Sequence, residues 1–155
     1  YNINDRVGVT GWLGDSPVLE FLSRGGHTSS ITGEKLTEHQ VVQAMARAAR
    51  AGGLRIHTFV LRGHFASLPY YELRVEQADG LDADRLAREL DGQLRGMNVE
   101  YDGKRNGRLG TIRATCLPAG TFARDEAEHV AHHGARTEQY KHKYLVCEVV
   151  NDDSL

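Results

Sequence analysis

The fold of this chain is decided by the stretch Thr32-Gly33-Glu34-Lys35-Leu36-Thr37-Glu38-His39-Gln40-Val41, which predicts the end of a strand, a glycine turn and the start of a helix. Gly33 can adopt a positive φ at no steric cost. Thr37 is followed three residues later by a glutamine, the spacing of a capping box, so we expect the helix to begin there. The turn places Glu34 and Lys35 on a loop from which side chains can reach a ligand. Spacing alone favours a plain strand–turn–helix junction with no role beyond the fold.

Hydrophobic patterns on both sides of this turn predict a β-α-β-β-α-β order, which is typical of ferredoxin-like folds. The predicted strands are 29–32, 54–63, 70–77 and 111–117, and the predicted helices are 37–51 and 82–95. We therefore expect an α+β fold with a ferredoxin-like βαββαβ core, in which one antiparallel sheet carries both helices on one face. An N-terminal β-hairpin over 6–22 precedes this core. A C-terminal helix over 121–133 and a strand over 144–150 are added after it.

Length and composition predict one cytoplasmic domain without affinity for nucleic acid or membranes. The chain has 155 residues, enough for a substantial core, and a net charge of −2 with scattered basic residues. It contains no apolar run long enough to span a bilayer and no signal-peptide pattern. Cys116 and Cys147 both fall in predicted strands, where we expect reduced thiols in the core. Arginine outnumbers lysine 15 to four, which resembles a bacterial protein from a GC-rich genome.

The predicted helix 121–133 raises the question of a metal site. His129, His132 and His133 share one face of it, a spacing that could bind zinc. No cysteine lies nearby, and three acidic residues on the same helix make a solvated face the better interpretation. We therefore predict no metal site.

Three segments resemble the auxin-responsive Gretchen Hagen family, the acyl acid–amido synthetases of the adenylate-forming superfamily. Residues 31–38, Ile-Thr-Gly-Glu-Lys-Leu-Thr-Glu, are similar to the segment that opens the C-terminal domain of that family. Residues 1–7 resemble its Y-x-x-G-D-V-V element, although Asn4 replaces the glycine. Residues 139–141 resemble its Q-Y/F-K element, although His142 and Lys143 replace the usual Pro-Arg. A further N-x-x-Y-x-x-K-R element lies over 98–105.

The resemblance implies a ligase with two half-reactions. A carboxylate attacks the α-phosphate of ATP to form an acyl-adenylate, and an amine then attacks the acyl carbon. Asp5 is implied to bind the ribose hydroxyls, with Tyr1 in the same nucleotide-binding element. Lys35 is implied to face the cleft in one lid position. Lys141 is implied to be the catalytic lysine that offsets transition-state charge, and Lys143 is its rival for that role.

The resemblance also implies that this chain is the mobile C-terminal lid of a larger enzyme. The chain begins at Tyr1, within a motif and without a methionine, so we expect a larger N-terminal domain to precede it. That domain is expected to bind most of the ATP and Mg²⁺. Residues 1–26 would form the hairpin and a hinge at Gly25-Gly26, and residues 27–155 the lid core. The alternative is a stand-alone ferredoxin-like module that binds small molecules or regulates a partner.

Overall fold

The structure, a computed structural model, describes residues 5–24, 28–133 and 142–151. In chain order, its elements are β1 (Asp5–Leu13), β2 (Ser16–Arg24), β3 (Thr28–Ser29), β4 (Leu36–Thr37), α1 (Glu38–Ala51), β5 (Phe59–Phe65), β6 (Tyr70–Glu76), α2 (Ala83–Met97), α3 (Val99–Lys104), β7 (Arg113–Leu117), α4 (Thr121–His133) and β8 (Leu145–Asn151). No helix in these ranges is both long and apolar enough to cross a bilayer.

The core of the molecule is a four-stranded mixed sheet in the order β7-β6-β5-β8. β5 and β6 form an antiparallel hairpin in which Leu61 lies opposite Leu73. β7 pairs parallel to β6, and β8 pairs parallel to β5. β1 pairs only with β2, and β3 only with β4, so two small two-stranded sheets stand beside the main one among the described residues.

Helices α1 and α2 cover one face of the main sheet and create the hydrophobic core. The inward side chains of the sheet are large and almost fully buried, and they include Leu61, Tyr71 and Leu73 at 0% exposure. The helices contribute apolar stripes at helical spacing, which are Val41, Ala44, Met45 and Ala48 in α1 and Leu86, Leu90 and Leu94 in α2. This packing fixes the start of α1, and therefore the turn before it, against the sheet.

The predicted α+β class and βαββαβ element order are confirmed, as are the N-terminal hairpin and the C-terminal helix and strand. Both major helices lie within two residues of their predicted ends, and Thr37 and Gln40 form the predicted capping box. The expected antiparallel sheet is wrong, because β7 and β8 both run parallel to their neighbours. The strand predicted over 54–63 begins only at Phe59.

The strand predicted over 29–32 is also corrected. Only Thr28–Ser29 is extended, and it pairs with Leu36–Thr37 rather than with the main sheet. The physical reason is local, because the backbone N–H groups of Ile31 and Thr32 donate to the Glu34 carboxylate. These donors are thereby occupied and cannot join a strand ladder.

Two further predictions need correction at the edge of the sheet. Cys116 is a free thiol, as predicted, but it is exposed on the edge strand β7 instead of packed in the core. The polar segment after α2 contains the short helix α3, which the sequence patterns did not predict. The side chain of Cys147 lies outside the described residues.

Candidate functional site

The turn before α1 is organised around a buried carboxylate. Glu34 has 0% relative exposure, and its Oε1 and Oε2 accept hydrogen bonds from the N–H groups of Ile31 and Thr32, each at 2.8 Å. The Thr32 hydroxyl donates to Oε2 at 2.9 Å, and the Tyr71 hydroxyl of β6 donates to Oε1. Glu34 is therefore a structural residue that closes the turn, and the expectation that it faces a ligand is wrong.

These hydrogen bonds also set the charge state of Glu34. Burial by itself raises the pKa of a carboxyl group because it penalises the charged form. Here the hydrogen bonds from Tyr71, Ile31 and Thr32 outweigh burial, and the pKa of Glu34 lies below its ordinary value. The carboxylate is consequently ionised at neutral pH, with its oxygens directed at donors of its own chain.

Lys35 points away from the core that holds Glu34. Its side chain is exposed, and it has a φ of 47°, which makes it the one non-glycine residue with positive φ in the described part of the chain. Gly33 has a φ of 101°, as its place in the turn predicts. A left-handed backbone at a lysine is uncommon and costs energy. The backbone of the turn therefore directs the side chain of Glu34 into the core and leaves that of Lys35 exposed.

The same turn is cross-linked to α3, which lies far away in sequence. The side chain of Asn98 caps α3, because its Oδ1 accepts the N–H of Tyr101 at 2.9 Å. Its Nδ2 donates to the carbonyl oxygen of Glu34 at 3.1 Å. The asparagine thus satisfies the helix end and the turn at once, and it holds the two segments in a fixed relation.

A buried polar network fixes the other end of α3. The Tyr101 hydroxyl donates to Asp91 Oδ1 at 2.6 Å, and Arg105 donates to both Asp91 oxygens, at 2.9 and 3.2 Å. Arg105 also donates to the carbonyl of Leu109. Burial and the Asp91 carboxylate raise the pKa of Tyr101 well above its ordinary value, so this phenol stays protonated. The N-x-x-Y-x-x-K-R element is therefore mainly structural, with Lys104 as its outward member.

Glu38, the first residue of α1, joins the turn to the last strand. Its Oε2 accepts hydrogen bonds from the N–H groups of Tyr144 and Leu145, at 3.1 and 3.2 Å. The Tyr144 carbonyl in turn accepts the N–H of Leu61 in β5 at 2.8 Å. One carboxylate therefore positions two residues that lie shortly after the predicted Q-Y-K element, at the start of β8.

His142 anchors the same segment through aromatic contacts. Its Nε2 lies 2.8 Å from the carbonyl oxygen of Phe59, and its ring meets those of Phe122 and Tyr144 edge to face, at centroid distances of 5.4 and 4.8 Å. The sequence analysis treated His142 only as a departure from the family motif. Lys143, its neighbour, is exposed.

The structure tests the predicted site residues unequally. Tyr1 and Lys141 lie outside the described residues, as does the predicted hinge at Gly25-Gly26. The backbone of Asp5 opens β1 opposite Arg24, but its side chain lies outside the described part. Lys35 is the one predicted site residue whose side chain is described. The roles proposed for all four predicted site residues remain predictions.

Sequence reasoning missed the contacts of Glu38, His142 and Asn98. Glu38 stands in the first turn of α1, where an acid commonly complements the helix dipole, and that position gives no sign of its contacts with the last strand. Asn98 followed by Tyr101 did carry the spacing of an N-cap, which could have revealed α3. Within the described ranges, no three His, Cys, Asp or Glu side chains are grouped so that they could hold a metal ion.

Comparison with known proteins identifies the family. Residues 39–149 match the sequence profile described as the GH3 family C-terminal domain, and no curated protein matches. The solved structure "AtGH3.15 acyl acid amido synthetase in complex with 2,4-DB" superposes with a TM-score of 0.75 at 18% identity over 94% of this chain. A second, "GH3.15 acyl acid amido synthetase", gives 0.73 at 20% identity over 93%. The chain spans 28% of the length of each. A profile that matches most of the chain, together with a shared fold, shows that the chain belongs to the GH3 (Gretchen Hagen) family, to its C-terminal domain.

Proposed function

We propose that this chain is the C-terminal lid of a larger ATP-dependent ligase. The enzyme activates a carboxylic acid as an acyl-adenylate and transfers the acyl group to an amine, with an amino acid as the expected acceptor. The proposal rests on membership of the GH3 C-terminal domain and on structural neighbours named acyl acid amido synthetases. Because the chain spans only 28% of those neighbours, ATP, Mg²⁺ and the acyl acid are assigned mainly to an N-terminal part.

The observation that supports a role for the lysine of the Q-Y-K element is the link made by Glu38 between the family-like turn and the segment just after that element. Its hydrogen bonds to Tyr144 and Leu145, together with the anchored ring of His142, fix the backbone directly beyond position 141. A lysine used for catalysis needs such support, because charge stabilisation depends on donors that are already oriented. We propose that Lys141, which directly precedes this anchored segment, is the residue brought to the reacting phosphate.

The proposed chemistry divides between the two half-reactions. In the first, a carboxylate oxygen of the acid bonds to the α-phosphorus of ATP and pyrophosphate leaves. Negative charge builds on the phosphoryl oxygens, and the Lys141 ammonium offsets it. In the second, the amine bonds to the acyl carbon and AMP leaves, after the lid has moved. Asp5 and Tyr1 are proposed to hold the nucleoside, and Lys35 to face the cleft in one lid position.

The exposed hairpin supports a division into two bodies. Val7, Val9, Trp12, Leu13, Val18 and Leu19 expose 46–80% of their surfaces. A two-stranded hairpin is marginal by itself, so apolar surface of this extent favours docking against another body. We propose that residues 1–26 form this docked hairpin and the hinge at Gly25-Gly26, and that residues 27–155 move as the lid. A bacterial source and a cytoplasmic location complete the proposal, supported by composition alone.

The test is Lys141→Ala in the complete enzyme. We expect ATP–pyrophosphate exchange to fall by about 10²–10³, the usual effect of losing one oriented charge contact to a transition state. Acyl transfer from preformed adenylate should fall much less, because the lid then occupies its other position.

Lys143→Ala is the matched control, since it removes an exposed lysine two residues away. Exchange that survives Lys141→Ala but collapses in Lys143→Ala would move the role to Lys143. Wild-type exchange in both variants would overturn the lysine assignment.

A further inference from the structure

A cleft lies between the turn before α1 and the helix α3. The cleft has a volume of about 450 Å³. It is lined by backbone and polar side chains, which belong to Gly33, Glu100, Gly103, Lys104, Asn106 and Arg108. A volume of this order is in the range of small-molecule sites, but the lining is polar where such sites are usually apolar. The chemistry of its lining therefore indicates a small, highly polar ligand.

Two cations of this cleft have no acidic partner in the described part of the chain. Neither Lys104 nor Arg108 forms an ion pair with a described carboxylate, whereas the adjacent Arg105 is committed to Asp91. The two basic residues of the sequence motif therefore have different environments. Arg105 binds Asp91 within the fold, whereas Lys104 lines the cleft. With Glu100 as the single acid, the formal charge of the lining is +1. The cleft thus holds two cationic donors that are not engaged in an ion pair with a described carboxylate, and its lining carries a net positive charge.

The turn is shaped to admit the lysine. A methyl group built on Gly33 would lie 3.3 Å from Lys104 Nζ, so a larger residue would press on the ammonium group. The positive φ of 101° at Gly33 also disfavours any side chain there. The absence of a side chain at Gly33 therefore lets the Lys104 ammonium group lie close to the backbone of the turn, in the lining of the cleft.

Both walls of the cleft are held in place by hydrogen bonds to the rest of the fold. Asn98 fixes the start of α3 to the Glu34 carbonyl, one residue from Gly33, at 3.1 Å. The Asp91–Arg105 pair and the bond from Arg105 to the Leu109 carbonyl fix the segment that carries Asn106 and Arg108. A preorganised site of this kind loses little entropy when a ligand binds, which favours affinity.

We propose that this cleft binds a small oxyanion, with Lys104 and Arg108 as the charged donors and the Asn106 amide as a neutral donor. Ammonium and guanidinium groups bind phosphate and carboxylate through charge-assisted hydrogen bonds. The ligand is therefore either a polyphosphate or a small carboxylate, and Glu100 separates the two. A polyphosphate is repelled by Glu100, whereas an amino acid can use it to bind its ammonium group. This inference does not depend on the ligase assignment.

The experiment is a titration of the 155-residue chain with sodium pyrophosphate and, separately, with L-aspartate, followed through backbone amide shifts in NMR spectra. We expect one of the two to shift Gly33, Gly103 and Asn106 in a saturable manner that weakens with added salt. Lys104→Gln and Arg108→Gln should each weaken binding by about tenfold or more, which is the loss expected for one charge-assisted hydrogen bond. Glu100→Gln should strengthen binding of pyrophosphate but weaken binding of aspartate.

Arg88→Gln is the matched control, because it removes the same charge from an exposed position of α2 away from the cleft. It should leave binding unchanged. Equal weakening by Arg88→Gln and Lys104→Gln would show that the anion senses only the net charge, and this result would overturn the proposal. Absence of saturable shifts at Gly33 and Gly103 with either ligand would overturn it as well. Native amide spectra of the variants ensure that neither result reflects unfolding.

Discussion

The N-terminal hairpin and the turn before α1 depart from the usual distribution of side chains in opposite directions. The hairpin exposes Val9, Trp12 and Leu13 at 56%, 68% and 80%, whereas the turn buries Glu34 at 0%. Large apolar groups usually lie inside and acidic groups outside, and a buried charge needs dedicated partners. Glu34 has all its partners within the chain. The hairpin strands pair only with each other among the described residues, and much of their apolar surface stays exposed.

The turn satisfies its buried charge with groups of its own chain. The hairpin leaves apolar surface exposed, which another domain could cover. The polar contacts of Glu34 reach β6 through Tyr71 and α3 through Asn98, so the turn belongs to the cooperative core. The contacts of β1 run mainly to β2, and its outward residues face solvent. Stability of the chain should therefore depend on the turn and hardly on the hairpin surface.

The largest expected effect comes from removing the carboxylate. Glu34→Leu leaves the N–H groups of Ile31 and Thr32 without their acceptor and removes one of the partners of the Tyr71 hydroxyl, which keeps its 3.1 Å bond to Ser29 Oγ. Each buried donor left unsatisfied costs about 1–3 kcal/mol, so we expect a loss of roughly 3–5 kcal/mol in the free energy of unfolding. Urea unfolding at pH 7 measures it. Glu34→Gln, which keeps one acceptor oxygen, should lose less, and a loss under about 1 kcal/mol for Glu34→Leu would contradict the internal completion of the turn.

Tyr71→Phe tests whether the turn controls the charge of Glu34, through the pH dependence of stability. The variant removes the hydrogen bond to the Glu34 carboxylate, and a bond to a charged group typically contributes about 1.5–3 kcal/mol. It also removes the 3.1 Å bond from the same hydroxyl to Ser29 Oγ. The pKa of Glu34 is lowered in the folded state, so its contribution is present above the unfolded-state pKa and is lost as pH falls through the folded-state pKa. Without the Tyr71 bond the folded-state pKa rises, and acid destabilisation of the variant should begin at higher pH than in the wild type.

Acid titrations of both proteins, followed by circular dichroism, provide the measurement. Tyr144→Phe is the matched control, because its hydroxyl makes only a 3.4 Å exposed contact with the His57 carbonyl. It should reproduce the wild-type acid transition. Identical acid transitions for Tyr71→Phe and wild type would show that Tyr71 does not set the charge state of Glu34.

The smallest expected effect is at the hairpin. Val9→Thr should change the stability of the chain by no more than about 0.5 kcal/mol, since Val9 is already 56% exposed. Val75→Thr makes the same chemical change at a position that is 1% exposed, and there we expect a loss above about 1 kcal/mol, because a hydroxyl is buried. Differential scanning calorimetry compares the two. Equal losses would mean that the hairpin surface is packed within this chain.

Local interactions were predictable from the sequence, whereas long-range ones were not. The capping box of Thr37 and the cap of α2 at Asp82 follow from spacing over three residues, and both are present. The link between Asn98 and Glu34 joins residues 64 positions apart, and nothing in either local pattern encodes it. The parallel pairing of β8 with β5 likewise depends on where α4 and the Glu38 contacts return the chain.

The candidate site shows the same division. A lysine after Gly33 could be placed on an exposed turn, because the glycine and the cap define the local path. The burial of Glu34 could not be predicted, since it depends on a tyrosine from β6 that arrives only after the sheet has formed. In the sequence, Glu34 and Lys35 are adjacent residues of one predicted loop. Tertiary packing buries Glu34 as a structural residue and leaves Lys35 exposed.

The left-handed backbone at Lys35 has a consequence for attempts to engineer this domain. Asparagine and glycine adopt this conformation more readily than lysine, whose Cβ makes it unfavourable. Selection for thermal stability alone should therefore replace Lys35, because the position gains backbone energy and loses no buried contact of its exposed side chain. Selection that also demands activity should retain it if the proposed role is correct. At position 35, thermal stability and the proposed activity would thus favour different residues.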